Sequence, residues 1–323
     1  MKRFWRVLGV VVALLVIGFF ALRVPDTDPD AMWAKYGGPP SQKLDFPDGR
    51  TYHIRDEGPR DAPVIVQLHG SNADLHTWQK WTEALDDHYR VIRYDQRGHG
   101  LTGAVPDDRY DIDAFVEDVD QVADALELER FTLAGNSMGG GIAMAYALAH
   151  PERLDALVLV DASGAPIDRR GGGNIIFNLA GKPVIGDLLS QFLPRSLVKK
   201  SYSQSVSNQA VVTDAAIDRY WELARYPGNR DATRQRFGTP RRSFTAEQVA
   251  AMKVPTLVIW GEEDALIPFD AAKWYMANLP NATLVAYPGI GHIPMEEAAD
   301  RSATDLEAWL GKTLATGKDA NGT

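Results

Sequence analysis

The sequence predicts an α/β fold in which a mostly parallel central sheet is flanked by helices and interrupted by a helical insertion. Short β-branched apolar runs alternate with helical patterns, and this alternation stops between residues 165 and 250. Continuous apolar runs are typical of strands buried on both faces, as in parallel sheets. Their alternation with helices indicates right-handed crossovers between neighbouring strands.

Six segments have the length and composition of buried strands, and each ends in Gly, Asp or His. They are residues 64–70, 91–100, 131–135, 157–164, 256–264 and 283–292. Apolar residues recur at helical spacing in the segments between and after them, which are 111–128, 137–150, 270–278 and 296–310. We therefore assign the core domain to residues 45–164 and 251–312.

The interruption at 165–250 is predicted to be a helical cap. Two amphipathic stretches, 174–194 and 214–229, are joined there by Gly and Pro. The first contains an apolar group that either lines an acyl pocket or packs the cap onto the sheet: Ile175, Ile176, Phe177, Leu179, Val184, Ile185, Leu188, Leu189, Phe192 and Leu193. Residues 25–44 are rich in Pro, Asp and Gly and are predicted to be a linker, and 313–323 a polar tail.

The N-terminus has the pattern of a membrane-directed segment. Lys2, Arg3 and Arg6 precede an uncharged apolar run over 7–22, which Arg23 closes. With its aromatic flank, this run approaches the ~20 residues that span a bilayer. We expect residues 1–24 to be a retained anchor, with the body outside the cytoplasm (periplasmic in a bacterium); a cleaved signal peptide and a secreted body are the alternative.

Composition excludes several classes of function. The formal net charge of −9, with no basic stripe beyond the first residues, argues against a nucleic-acid partner. The chain has no cysteine, which rules out disulfides, thiolate metal sites and a cysteine nucleophile. No metal-ligand spacing is present, so we expect neither a metal nor another cofactor.

A serine stands where a strand pattern changes to a helix pattern. Ser137 lies in Gly135-Asn136-Ser137-Met138-Gly139, which fits G-x-S-x-G. Gly135 and Gly139 would allow a sharp turn that holds the serine in a strained conformation and brings backbone close to it. A helix-capping serine in a glycine-rich turn is the alternative. The position between strand and helix favours a nucleophile.

A nucleophilic serine needs a base and a group that orients it. Among seven histidines, only His292 combines a late position, a loop after a strand and flanking glycine. Asp264 follows the strand at 256–260 and is the candidate acid. The order Ser137, Asp264, His292 is the nucleophile–acid–base order of one large fold. The backbone N–H groups of Ser71, after His69-Gly70, and of Met138 are candidates for an oxyanion hole.

The chain resembles the α/β-hydrolase fold superfamily. The matching stretches, in family order, are LHGSNADLHTW, YDQRGHGLT, GNSMGG, PERLDALVLVDASG, VPTLVIWGEEDALIP and GIGHIPMEE, within residues 45–312. The resemblance implies Ser137 as nucleophile, His292 as general base and acid, and Asp264 as orienting carboxylate. It implies a structural role for Asp95, Arg97 and His99, and it leaves Asp161, which some relatives use as the acid, as the alternative to Asp264.

The resemblance makes a carboxylic ester hydrolase acting on an apolar small molecule the default expectation. A serine nucleophile argues against dehalogenases and epoxide hydrolases, which use aspartate. Carbon–carbon bond hydrolases share GNSMGG, but SNADLHTW replaces their glycine-rich stretch after His-Gly. They are the alternative, together with lactonases and cofactor-free haloperoxidases. A catalytically inactive, membrane-tethered binding module is the alternative from another class.

Overall fold

A computed structural model describes residues 2–167, 186, 191–240 and 242–320. In this part of the chain, eight strands form one sheet in the order β1-β2-β4-β3-β5-β6-β7-β8. The strands are β1 (Gln42–Asp45), β2 (Thr51–Glu57), β3 (Val64–Leu68), β4 (Arg90–Tyr94), β5 (Phe131–Asn136), β6 (Leu154–Val160), β7 (Thr256–Gly261) and β8 (Ala282–Tyr287). β2 is antiparallel to both of its neighbours, and all other pairs are parallel. The predicted α/β fold is confirmed.

Apart from the N-terminal α1 and α2, the helices of the described residues surround the sheet or belong to the inserted region. They are α1 (Lys2–Leu22), α2 (Pro29–Tyr36), α3 (Gln79–Leu85), α4 (Ile112–Ala125), α5 (Met138–Ala149), α6 (Arg195–Ser205), α7 (Asp214–Ala224), α8 (Asn229–Gly238), α9 (Ala246–Ala250), α10 (Asp270–Asn278), α11 (Pro294–Glu297) and α12 (Ala299–Ala320). Side-chain caps start several of them. Asp111 accepts the N–H of Ala114 in α4, and Thr245 and Gln248 form a capping box in α9.

The apolar core has two halves, one on each face of the sheet. In β3, Val66 faces the half that contains Val119 of α4 and Ile142 of α5, whereas Ile65 faces the half that contains Trp81 of α3. Successive side chains of a strand point to opposite faces, so this alternation covers both faces of the central strands. The ends of β5 to β8 are thereby held side by side at one edge of the sheet.

Two strands were absent from the sequence prediction. β1 is mostly exposed, and β2 alternates polar with apolar residues, so neither gives a continuous apolar run. In β2 the fully buried His53 lies between Tyr52 and Ile54, where its Nδ1 contacts Asp95 Oδ2 at 2.6 Å. A buried polar residue interrupts the apolar pattern that predicts a buried strand, and its hydrogen-bond partner cannot be recognised because it is distant in sequence.

Two of the predicted boundaries are corrected. The linker at 25–44 contains α2 and the start of β1. Pro29, which suggested a break, occupies the first turn of α2, where the missing N–H costs nothing, and Asp28 caps that helix through the N–H of Ala31. The predicted polar tail at 313–323 continues α12 to Ala320. No proline interrupts that stretch, so its polarity alone does not end the helix.

The predicted cap is helical where the structure describes it. The helix expected within 214–229 is present as α7. The stretch at 174–194 falls largely outside the described residues, as do all members of its apolar group except Phe192 and Leu193. The Phe192 ring packs edge-on against Phe19 of α1, with centroids 5.6 Å apart. Phe192 therefore joins the cap to the N-terminal helix.

Candidate active site

Ser137 occupies a strained turn between β5 and α5. Its backbone angles are φ 54° and ψ −113°, in a region that non-glycine residues rarely adopt. The turn is held from both sides, because the Ser137 N–H donates to Val160 O at 2.9 Å and the Ser163 N–H donates to Ser137 O at 2.9 Å. Such strain costs roughly 1–3 kcal/mol and persists only where the surroundings enforce it.

Gly135 and Gly139 permit the tight path of this turn. A Cβ atom on Gly135 would overlap the Gly139 carbonyl, and a Cβ on Gly139 would overlap the carbonyl oxygen of Leu68 at the end of β3. Each glycine is therefore required by a close backbone approach. The second approach also brings the end of β3, and the loop that follows it, against the first turn of α5.

Asp264 and His292 come from the loops after β7 and β8 and are in direct contact. His292 Nδ1 lies 2.6 Å from Asp264 Oδ2, and both residues are buried. The other carboxylate oxygen of Asp264 accepts the N–H groups of Leu266 at 2.7 Å and Ile267 at 2.9 Å. These donors orient the carboxylate. Because a carboxylate oxygen accepts, we assign the proton of His292 to Nδ1, which leaves Nε2 as the acceptor.

The loop of His292 is tied to the serine turn and to the cap. Asn136, which precedes Ser137, donates its Nδ2 hydrogen to His292 O at 3.0 Å. The His292 N–H donates to Ser205 O, at the end of α6, at 2.8 Å. Glu297 accepts the Gly291 N–H at 2.9 Å and the N–H of Ser207 at 2.8 Å. The position of the imidazole therefore depends on both the sheet and the cap.

The loop after β3 lies beside the serine. A Cβ on Gly70 would be 3.3 Å from the Cβ of Ser137, which places Ser71 next to the same turn. Among the described residues, no group accepts a hydrogen bond from the N–H of Ser71 or of Met138. Both N–H groups are thus available beside Ser137.

This arrangement agrees with the sequence comparison. The α/β-hydrolase fold profile matches residues 63–299. The chain belongs to the α/β-hydrolase fold family. It is 28% identical, over 74% of its length and 84% of the relative's, to a 2-hydroxymuconate semialdehyde hydrolase of Pseudomonas sp. (strain CF600).

Solved structures show the same fold. A meta-cleavage product hydrolase from Pseudomonas fluorescens IP01 superposes with a TM-score of 0.71 at 25% identity, covering 81% of this chain and 94% of that one. A membrane phospholipase A superposes with a TM-score of 0.75 at 24% identity, covering 97% of this chain and 99% of that one. The protein is thus an α/β hydrolase by family and by fold.

Two further side chains of this α/β hydrolase lie near the site. Asp161, which follows β6, lies with Asp264 and His292 in a buried group whose ligand-type atoms are all within 4.8 Å of one another. Three such residues are a set that could hold a metal ion, but the 2.6 Å contact of Asp264 with His292 is that of a direct hydrogen bond. We interpret the group as two acids and a base. The sequence analysis kept Asp161 as the alternative acid, because it follows a strand at a position that some relatives use for the acid.

The second is Arg236 of α8, which reaches from the cap to the loop of Ser71. Its Nη2 donates to Ser71 Oγ at 2.9 Å and to Asn72 Oδ1 at 2.8 Å, and its Nη1 lies 2.7 Å from His99 Nε2. Burial lowers the pKa of Arg236 to about 10. No sequence signal identifies this contact, because more than 160 residues separate Arg236 from Ser71.

The remaining polar residues of the predicted loops support structure. Asp95 accepts the N–H groups of Leu75 and Leu101, both at 2.7 Å, and Arg97 is paired with Asp118 in the core. His99 Nδ1 lies 2.9 Å from the carbonyl of Arg97. Burial, followed by the charge of Arg236, lowers the pKa of His99 well below its usual value, so this histidine is neutral.

Proposed function

We propose that this α/β hydrolase is a serine hydrolase that cleaves carboxylic esters of apolar small molecules through an acyl-enzyme. The observation that carries the proposal is the strained Ser137 turn after β5. It lies at the same end of the sheet as the loops that carry the His292–Asp264 pair. In this proposal Ser137 is the nucleophile, His292 the base and acid, and Asp264 the carboxylate that orients the imidazole.

The placement of protons on His292 and Asp264 supports these roles. Because Nδ1 of His292 donates to Asp264, Nε2 can accept the Ser137 proton while Oγ attacks the ester carbonyl. The resulting imidazolium returns that proton to the departing alkoxide, which leaves an acyl group on Ser137. Water then attacks the acyl-enzyme with Nε2 again as base, and the acid is released as Ser137 recovers its proton.

The oxyanion that forms in each step would be bound by the N–H groups of Ser71 and Met138. Met138 is the first residue of α5, so the positive end of the helix dipole adds to its N–H. One oxyanion donor is typically worth about 2.7–4 kcal/mol of transition-state stabilisation. Arg236 fixes the Ser71 side chain from the cap, and so would hold one of the two donors in place.

A carbon–carbon bond hydrolase on the same residues is the second candidate. Its support is the 28% identity to the 2-hydroxymuconate semialdehyde hydrolase and to a 2-hydroxy-6-oxononadienedioate/2-hydroxy-6-oxononatrienedioate hydrolase of Comamonas testosteroni. The loop after His69-Gly70 favours the ester. It continues as SNADLHTW, and its Asn72 is held at φ 59° with its side chain on Arg236.

We further propose that α1 anchors the enzyme in a membrane, with the catalytic body outside the cytoplasm. Residues 3–22 form one apolar helix with a mean hydropathy of 2.4, and none of its best apolar window is buried. The chain after it is fastened to the cap: Val24 O accepts from Arg230 at 2.8 Å, and Pro25 O from Arg225 at 3.1 Å. An anchor fixed to the cap would favour apolar substrates from the membrane; signal cleavage and secretion are the alternative.

The test uses the full chain in detergent with a fluorophosphonate probe and p-nitrophenyl esters of graded acyl length. The variants are Ser137→Ala and His292→Ala, and Ser163→Ala is the matched control. We expect the wild type and the control to be labelled and to hydrolyse esters best at one chain length, and both variants to lose labelling and turnover.

Labelling without ester turnover, accompanied by cleavage of a vinylogous diketone, would favour the carbon–carbon hydrolase. No labelling of the folded wild type would reject Ser137 as the nucleophile and favour a binding module. Fractionation of the producing cells tests the anchor. A full-length chain in the membrane fraction supports it, and a soluble, shortened chain contradicts it.

A further inference from the structure

Asp161 is a second buried acid beside the proposed catalytic carboxylate. It follows β6, next to the end of β7, and its side chain is fully buried. Its Oδ1 accepts the Gly261 N–H at 3.0 Å, whereas its Oδ2 has no hydrogen-bond partner within the described residues. Its backbone has φ 45°, a left-handed conformation uncommon outside glycine, so this side chain is held in place at the expense of backbone strain.

Asp264 and Asp161 are neighbouring carboxyl groups, and the negative charge is stabilised differently on each of them. One oxygen of each lies within 4.8 Å of the other and of a His292 nitrogen, in a region closed to solvent. Two buried carboxylates that share one site repel each other, so ionisation of both is disfavoured. Asp264 accepts three N–H groups, from Leu266, Ile267 and His292, and Asp161 accepts one. The negative charge is therefore better stabilised on Asp264.

We propose that Asp161 is protonated and donates its Oδ2–H to the carboxylate of Asp264, as a positioning residue for the Asp264–His292 pair. The proton gives the unpartnered oxygen of Asp161 a partner and leaves one net charge on the two acids. Burial raises the pKa of Asp161 well above its usual value, and the charges of Asp264 and Glu297 raise it further. The inference rests on the proposed serine hydrolase, because its consequence is expressed through His292.

The donated hydrogen bond adjusts the strength of the base. It draws negative charge away from the oxygen that faces His292 Nδ1, which weakens the attraction between that carboxylate and a protonated imidazole. Without the bond, Asp264 attracts the imidazolium more strongly and is free to turn. Among the described residues, the titratable groups that lie beside Asp161 or act on it are Asp264, His292 and Glu297.

The test compares Asp161→Asn with Asp161→Gly in the full-length enzyme. Asparagine keeps the size and neutral charge, supplies an amide N–H in place of the O–H, and tolerates a positive φ. Glycine fits the same backbone and removes the donor. We expect Asp161→Asn to keep kcat/KM within about threefold, and Asp161→Gly to lower kcat roughly tenfold or more with little change in KM.

The acid limb of the pH profile separates positioning from a purely structural role. We expect it to move upward by about half a pH unit or more in Asp161→Gly and to return to the wild-type position in Asp161→Asn. An unchanged limb in Asp161→Gly would overturn the proposal. So would an Asn variant as impaired as the Gly variant, because that result would require an ionised Asp161.

Two spectroscopic measurements make the result independent of activity. Infrared difference spectra of wild type against Asp161→Asn should contain the carbonyl band of a protonated carboxyl at neutral pH; a carboxylate band in its place would overturn the proposal, even if the Gly variant does not fold. NMR titration of the His292 imidazole gives its pKa directly. If the wild type hydrolyses no ester, the proposed function fails, and these two measurements still decide the state of Asp161.

Discussion

One partly buried carboxylate, Glu296, accepts hydrogen bonds from both the cap and the core, and this geometry allows a quantitative prediction. Glu296 of α11 accepts hydrogen bonds on Oε1 from Thr77 at 2.8 Å, Arg219 at 3.0 Å and Tyr220 at 3.1 Å. Its Oε2 accepts from Tyr202 at 2.6 Å. Thr77 belongs to the core and the other three donors belong to cap helices α6 and α7. We predict that Glu296→Gln loosens this junction.

The magnitude follows from which bonds survive. The glutamine carbonyl can occupy the Oε1 position and keep its donors, while its amide replaces Oε2 and Tyr202 turns to accept from it. The charge is lost. Arg219 keeps Asp74 at 3.2 Å, so its guanidinium is not left without a counter-charge. Although burial acts to lower the pKa of Arg219, the carboxylates of Asp74 and Glu296 raise it, which indicates that both pairs matter.

A hydrogen bond to a charged group contributes about 1.5–3 kcal/mol, and complete loss of a buried ion partner costs about 3–5 kcal/mol. With Asp74 still in place, the lower range applies. We expect Glu296→Gln to reduce the free energy of unfolding by about 2 kcal/mol.

The assay is urea unfolding of the full chain in detergent, followed by tryptophan fluorescence. The matched control is Glu307→Gln, the same chemical change at a residue whose partner, His88, is 71% exposed. Exposed pairs contribute about 0–1 kcal/mol, so the control should remain close to wild type. If the two variants lose equal stability, the Glu296 junction does not hold the cap as its geometry indicates.

Three further predictions concern the serine turn and a buried histidine. Replacing Ser137 by glycine should abolish activity and raise the free energy of unfolding by about 1 kcal/mol relative to Ser137→Ala, because glycine adopts φ 54° without strain. Equal stability of the two variants in urea would show that the turn is unstrained. In Gly139→Ala, the added Cβ meets the Leu68 carbonyl, so we expect about 1–3 kcal/mol of destabilisation and loss of labelling by the fluorophosphonate. A fully labelled variant of wild-type stability would contradict this close approach. The pKa of His99 in the folded protein lies below its unfolded value of about 6.5, so its contribution to stability is complete above that pH. That contribution declines as pH falls toward the folded-state pKa, by up to about 1.4 kcal/mol per pH unit. Urea titrations between pH 7 and 5 should show a shallower decline of stability in His99→Gln, and an unchanged slope would mean that His99 does not remain neutral.

The strands that could be predicted from the sequence are mainly those of the parallel part of the sheet, which are covered on both faces. β5, β6 and β7 are buried on both faces, so each has a mostly apolar sequence, and the glycines of the Ser137 turn lie within five residues. Such signals are local, because the period of a buried strand and the space at a turn are set by residues near in sequence. The helix α2 escaped prediction for the opposite reason. Its proline and aspartates form a helix start that closely resembles a linker.

Local sequence patterns are enough to predict the α/β class, the serine turn, and a histidine and an acid at strand ends. Only the folded structure shows which of the two candidate acids contacts that histidine. Asp161 and Asp264 both follow strands, and only the folded loops place Oδ2 of Asp264 at 2.6 Å from His292. It also decided that Arg236 and Glu296 connect the cap to the core. These contacts join residues far apart in the chain, and their energies depend on burial and on distances between loops, which no local pattern encodes.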